Sequence, residues 1–395
     1  MKPQISRTEV VSIDHHVFDG GPPLHLERLL GLVKAGESHV VRRAILTAAT
    51  AWIPLVVLAV GQTIVSSTPT AKSFFTDFAV HARYLIAVPA LIFAEPDCIP
   101  RFEGIARHFV DSGLIASFDM PRYERALSST RRLLDSIHSD LLVLLVAYVT
   151  VVAAMFYVPP DAFPDWWRSD KWYFSPAGWW NMLVSLPILL ILVFGWLWRL
   201  VLWGRFLVLM ALLNLQLLPS HPDHVGGLKF VSTSLRGFRL ISFAFGTLVA
   251  GALANRVVYH NAKLIDFKDL VVATVVFVVV VSAGPLIVFL RGLRQAKKKG
   301  IFEYGTLANR LGREFESKWL SPGTEINREI LQKEDFSATT DLYSVAANVY
   351  EMRDLPIKVK DLIVPVLPAL VPFAIVALLS IPLQVVIDSL IKLLL

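Results

Sequence analysis

Seven apolar stretches, near residues 44–63, 78–95, 140–158, 181–203, 238–258, 269–290 and 361–380, leave this chain few folds to choose from. A helix needs about 20 mostly apolar residues to cross a bilayer. In lipid, every backbone N–H and C=O must also be satisfied without water. The pattern therefore predicts an all-α fold, a polytopic transmembrane helical bundle of about seven spans with cytoplasmic amphipathic helices. Hydrophobic residues make up 55% of the chain, more apolar surface than one soluble core of 395 residues hides.

The net charge of +6 raises nucleic acid as a partner, but its distribution excludes that reading. Lys and Arg resist translocation, so their loop bias sets orientation. With the amino terminus in the cytoplasm, residues 1–43 hold 6 of them, 95–139 hold 6, 199–239 hold 5 and 291–360 hold 13. The opposite side receives Lys72, Arg168, Lys171, Arg256, Lys263, Lys268 and Lys392, and Arg83 lies within a span. Thirty against seven orients the chain with its amino terminus in the cytoplasm and, after seven spans, its carboxyl terminus outside, which is the periplasm if the cell is a Gram-negative bacterium. Residues 1–43 lack the apolar core and cleavage site of a secretory signal, so the first span is expected to direct its own insertion. Cys98 is the single cysteine, which rules out an intrachain disulfide.

The chain divides into four regions. Residues 1–43 form a cytoplasmic segment in which Leu26, Leu29, Leu30 and Val33 recur at the spacing of an interfacial helix. Residues 44–291 form a six-span region with helical cytoplasmic loops. In one of these, Arg122, Arg125, Arg131 and Arg132 alternate with Leu127, Leu133, Leu134 and Ile137 in a helix expected to run straight into the third span. Residues 292–360 are a cytoplasmic helical segment with two amphipathic helices, around Tyr304 to Trp319 and Leu342 to Val349. Residues 361–395 hold the last span, rich in proline, and an interfacial tail from Ile381. Trp166, Trp167, Trp172, Tyr173, Trp179 and Trp180, after the third span, read as an aromatic belt at headgroup depth. The run Arg291, Arg294, Lys297, Lys298 and Lys299 is suited to anionic lipid headgroups.

The second span carries the most informative polar residues. His81 and Arg83 lie in its outer half and Glu95 closes its inner end. An arginine in a span costs on the order of 3 kcal/mol at the bilayer centre, so something must satisfy it. Ala79, Arg83, Ala87, Ala90 and Ala94 share one small-residue face that another helix or a water-filled cavity can approach. Arg83 and Glu95 stand about 18 Å apart along a helix and need partners elsewhere. In the fifth span, Gly246, Ala250 and Ala254 make one close-packing stripe and Thr247, Gly251 and Asn255 another, with Arg256 beside the outer end. Phe206 to Leu218, too short to span, suits an interfacial or re-entrant helix. It leads to the turn His221, Pro222, Asp223, His224, Val225, Gly226, Gly227, in which Asp223 is placed to cap a helix through Phe230 and Leu235. Three metal-capable side chains in one turn are a weak metal signal, and no cofactor motif, nucleophile elbow or intramembrane aspartate pair occurs. The chain is therefore not expected to be an enzyme or to bind a cofactor.

Several stretches in order resemble a family of uncharacterised bacterial polytopic inner-membrane proteins. They are Arg42-Arg43 before Ala51-Trp52-Ile53-Pro54-Leu55, Arg83-Tyr84-Leu85-Ile86-Ala87-Val88-Pro89 with Ala94-Glu95, and His108 to Gly113. Trp203-Gly204-Arg205-Phe206, His221-Pro222-Asp223 with Gly226-Gly227-Leu228, Glu303-Tyr304-Gly305 and Glu314 to Trp319 continue the likeness. The chain departs at His224 and Lys229, where the resemblance leads one to expect Arg and Gly, and in a shortened Asp341 to Arg353 segment. The resemblance implies the same multi-span architecture and no substrate. Together these readings favour an integral membrane channel or transporter for a small ion, acting as a homo-oligomer. The alternative is a membrane-anchored sensor or scaffold without transport activity.

Overall fold

The computed structural model describes residues 18, 20–22, 40–66, 68–159, 163–168, 174–259, 262, 264–320 and 334–379. The interfacial helix expected around Leu26 to Val33 and the tail from Ile381 lie outside them. Within them the chain is helical and without strands, apart from an isolated antiparallel bridge between Ile115 and Leu215. Among the described residues, seven helical stretches are long and apolar enough to cross a membrane, and the protein is a multi-pass membrane protein.

The helices that organise it are α1 (Val40–Ser66), α2 (Phe78–Asp111), α3 (Met120–Leu134), α4 (Ile137–Tyr157) and α5 (Pro176–Ala211). They are followed by α6 (Arg239–Tyr259), α7 (Lys268–Ala283), α8 (Leu290–Trp319), α9 (Glu334–Tyr350) and α10 (Ile363–Leu379). The end of the bundle at which α1 begins and α2 and α5 finish carries most of the Lys and Arg, and is termed the basic end.

Side-chain size decides which helices touch. In α1, Ala44, Ala48, Ala51, Leu55 and Ala59 are buried at helical spacing against α2, while Ile45, Ile53 and Val57 face outward. In α6, the two small-residue stripes take different neighbours. A Cβ on Gly246 would stand 2.1 Å from the Ala369 carbonyl oxygen of α10, and one on Gly251 would stand 2.5 Å from the Ala82 Cβ of α2. The backbones can approach only because those positions lack side chains. By contrast α4 buries Val143, Ala147 and Val151 and exposes Leu141, Leu145, Val149 and Phe156, a face for lipid.

Two spans contain π-helical turns, Ala82–Ala87 in α2 and Asn181–Ser185 in α5. Each precedes a proline, Pro89 and Pro187, whose missing N–H frees the carbonyls of Leu85 and Leu183 and whose ring crowds that turn. The Leu183 carbonyl is taken up by the Tyr148 hydroxyl at 3.2 Å.

Three local expectations are corrected. The helix over Arg122 to Ile137 does not run into the third span: it stops at Leu134, and Ser136 caps a new helix by accepting from the His138 N–H. Phe206 to Leu218 is not a separate short helix. Gly204 and Arg205 are carried within the helix, so α5 continues to Ala211; Leu212 caps it with helical backbone, and the chain to Leu218 follows as irregular, non-helical backbone. In the aromatic loop, Trp166 and Trp167 are buried, Trp166 edge-on to Phe74, and so are not free to line a headgroup belt, whereas Trp179 is exposed; Trp172 and Tyr173 lie outside the described residues.

Candidate functional site in the second span

Four polar centres are strung along α2. At the end opposite the basic one, Asp77 caps α2 by accepting from the Ala79 N–H. The same buried carboxylate accepts from Asn255 Nδ2 at 2.8 Å and from Trp166 Nε1 at 2.9 Å, while Asn255 Oδ1 accepts from the Phe78 N–H at 2.9 Å. This junction ties α2 to α6 and to the aromatic loop. His81 lies beside it with both ring nitrogens used: Nδ1 accepts from Trp52 Nε1 at 3.0 Å, which leaves Nε2 to donate to the Phe75 carbonyl at 3.2 Å. Arg256 extends outward over the Phe267 ring.

One turn further in, the two π-helical turns meet. The Tyr84 hydroxyl donates to Asn181 Oδ1 at 2.6 Å with both side chains fully buried. Next to it Arg83 is only partly buried and makes no hydrogen bond or ion pair among the described residues. Leu85 and Ile86, which follow it, are exposed to the surroundings of the bundle.

Near the basic end, Glu95 is 5% exposed and sits between two guanidinium groups. Arg43 of α1 pairs with Oε2, and Arg199 of α5 donates to Oε1 at 2.9 Å. Arg199 also donates to the Gly20 carbonyl at 3.0 Å and lies over the Trp196 ring. The three charges leave a net single positive charge in a dry setting, offset by a carbonyl dipole and an aromatic face. Phe18 closes this region, packing edge-on against Phe102, Trp203 and Phe206.

The turn after α5 is organised by Asp223. Its carboxylate accepts from the N–H groups of Val225, Gly227 and Lys229 at 2.8, 3.1 and 3.1 Å, and the His221 ring nitrogen lies 2.9 Å away. Partial burial alone would raise its pKa, but those donors outweigh it and hold the carboxyl below its ordinary value. Gly226 and Gly227 supply positive φ, and His224 also adopts φ 57°. Arg353 clamps the turn, donating from its side chain to the Asp223 carbonyl and from its backbone to that of His224. Pro222 is exposed at the tip. Among the described residues no group of three or more His, Cys, Asp or Glu is placed to hold a metal.

Asp77, His81, Arg83 and Glu95 are thus placed at separate positions along α2, and none of them bonds the turn at His221 to Gly227, which instead shares a cleft with His108 and Ser112 at the end of α2. Asp77 and Arg199 were not singled out from sequence, while Trp166 entered only as a belt residue and Arg43 only through the family resemblance. Asp77 carried a signal, an aspartate directly before an apolar run. So did Arg199, an arginine inside the stretch 181–203 that the charge tally counted with a loop. No family model, curated protein or solved structure matches this chain.

Proposed function

We propose that this is a membrane transport protein for a small ion, an anion by preference, working as a homo-oligomer with Arg83 beside the pathway. The carrying observation is the state of the charges along α2. Asp77 and Glu95 are each consumed by neighbouring donors, whereas the partly exposed Arg83 guanidinium has no partner among the described residues. An arginine in a span is retained where it meets protein, water or an ion, and a ring of such residues favours anions. Glu95 is sealed between Arg43 and Arg199, so its charge does not oppose an anion. The π-helical turns at the same level supply the local irregularity often found at working sites in membrane helices. The reading retains the orientation of the charge tally, with Arg83 near the periplasmic mouth, and the family resemblance as its setting.

The test is anion flux and single-channel recording with the full chain in liposomes. Arg83→Gln should lower anion flux at least tenfold and Arg83→Glu should reverse the preference. Protein that is silent for anions and cations alike overturns transport. If it is silent, and Arg83→Ala impairs assembly, the membrane-anchored scaffold takes its place.

A further inference from the structure

At the basic end one crevice gathers residues that ion transport leaves unused. It measures about 700 Å³ and lies between residues 212–219, which follow α5, and the first turns of α8. Burial alternates along this segment: Leu213, Leu215 and Leu217 are partly buried while Leu212, Asn214, Gln216 and Leu218 are exposed. The segment is pinned there by the Gln216 N–H donating to the Leu114 carbonyl and the Asn214 N–H donating to Asp119. Leu212 is left 73% exposed.

Depth gives that exposure its meaning. Residues 270–290 contain no charged side chain, and Arg291 is the first after Asp269. Those residues cover about the hydrocarbon thickness, so Arg291 lies at headgroup level and Val288 and Phe289 just inside it. The crevice therefore has an apolar wall of Leu212, Leu213 and Val288 on its lipid side and, beyond it, a polar rim in which Arg291, Gln295 and Lys299 are joined by the carboxylate of Glu303. Arg291 has no ion pair among the described residues, and Lys299 meets Glu303 only at 3.8 Å, with both side chains well exposed. A pair of that kind is weak.

We infer that this crevice binds one anionic phospholipid from the adjoining leaflet, its phosphate at Arg291 and Lys299 and its chains along Leu212 and Val288. Apolar wall and cationic rim match the two halves of such a lipid at the depth where each half resides. A soluble phosphate would leave Leu212 uncovered. The inference rests on the seven-span architecture and is independent of ion transport.

Native mass spectrometry of the full chain in detergent, titrated with phosphatidylglycerol or phosphatidylcholine of equal chain length, tests it. Phosphatidylglycerol should be retained preferentially. Arg291→Gln with Lys299→Gln should weaken it about thirtyfold, from about fivefold per cation. Lys298→Gln with Arg310→Gln removes the same charge outside the crevice and should change binding less than twofold. Leu212→Asn should weaken the lipid without altering overall charge. Equal loss in the control pair, equal binding of phosphatidylcholine, or competition by glycerol phosphate as effective as by the lipid would each overturn the site.

Discussion

At the scale of single residues, the buried charges around Glu95 hold only as a set. Removing three ions from water costs several kcal/mol each, and the attraction of Glu95 to Arg43 and Arg199 offsets that only while the set is whole. Glu95→Ala leaves two guanidinium groups facing one another in a dry core, and the expected loss is about 3–5 kcal/mol. The triple change Arg43→Met, Glu95→Leu, Arg199→Met should recover most of it, because apolar replacement of a whole buried set is often neutral or stabilising. Melting of the purified protein in detergent compares the two, and a triple variant less stable than Glu95→Ala would refute the account. Asp223 makes a separate case at the surface. Its folded pKa lies below the ordinary 3.8, so the turn gains stability above that value and loses it as pH falls below it. Hydrogen exchange at the amides of Val225, Gly227 and Lys229 should stay slow through neutral and mildly acid pH and quicken only below about pH 4. Asp223→Ala should expose the same amides at every pH, at a cost of about 2–4 kcal/mol.

At the scale of elements, glycine and proline positions decide how the helices meet. A methyl group on Gly246 would overlap a backbone carbonyl, which cannot rotate away, so Gly246→Ala should force α6 from α10 and cost about 1–3 kcal/mol. Gly61→Ala, where nothing lies within 4 Å, is the matched control and should leave the melting temperature unchanged or slightly raised. Equal effects of the two would mean that the α6 stripe does not set the helix contact. This stripe was legible in the sequence because small residues at every fourth position are a local pattern. So were the seven spans, since length and apolarity are properties of one segment at a time. What sequence could not supply was who meets whom: the bonds of Glu95 to residues 43 and 199, or of Asn255 to Asp77, join segments more than 50 residues apart. The end of α5 was misread for a different reason. No glycine or proline lies between Ala211 and Pro219, so the end of the helix at Leu212 has no local signature. The aromatic loop shows a third limit, in that tryptophan composition suits both a headgroup belt and a packed plug, and Ser175 and Gly178 fold it into the plug. Ser175 Oγ bonds the Trp166 carbonyl and the Gly178 N–H, and a Cβ on Gly178 would stand 2.5 Å from the Trp167 carbonyl.

At the scale of the whole molecule, the distribution of Lys and Arg predicts a single orientation, and the fold supplies the positions with which to test it. Cys98 is fully buried against Gly237, so Cys98→Ala gives a background without reactive thiols at little cost in packing. Lys72, exposed between α1 and α2, and Ser317, exposed near the end of α8, lie on opposite sides of the bundle if the seven spans alternate. In cells with a permeabilised outer membrane, Lys72→Cys should react with a membrane-impermeant maleimide. Ser317→Cys should react only after the inner membrane is broken. The reverse pattern would invert the molecule and move Arg83 to the cytoplasmic mouth, and labelling of both in intact cells would mean two orientations coexist. The outcome bears on mechanism as well as topology. Arg83 is five residues from the start of α2, close to the Lys72 side, so an anion drawn to it from that side would meet the positive charge within about two helical turns of entering.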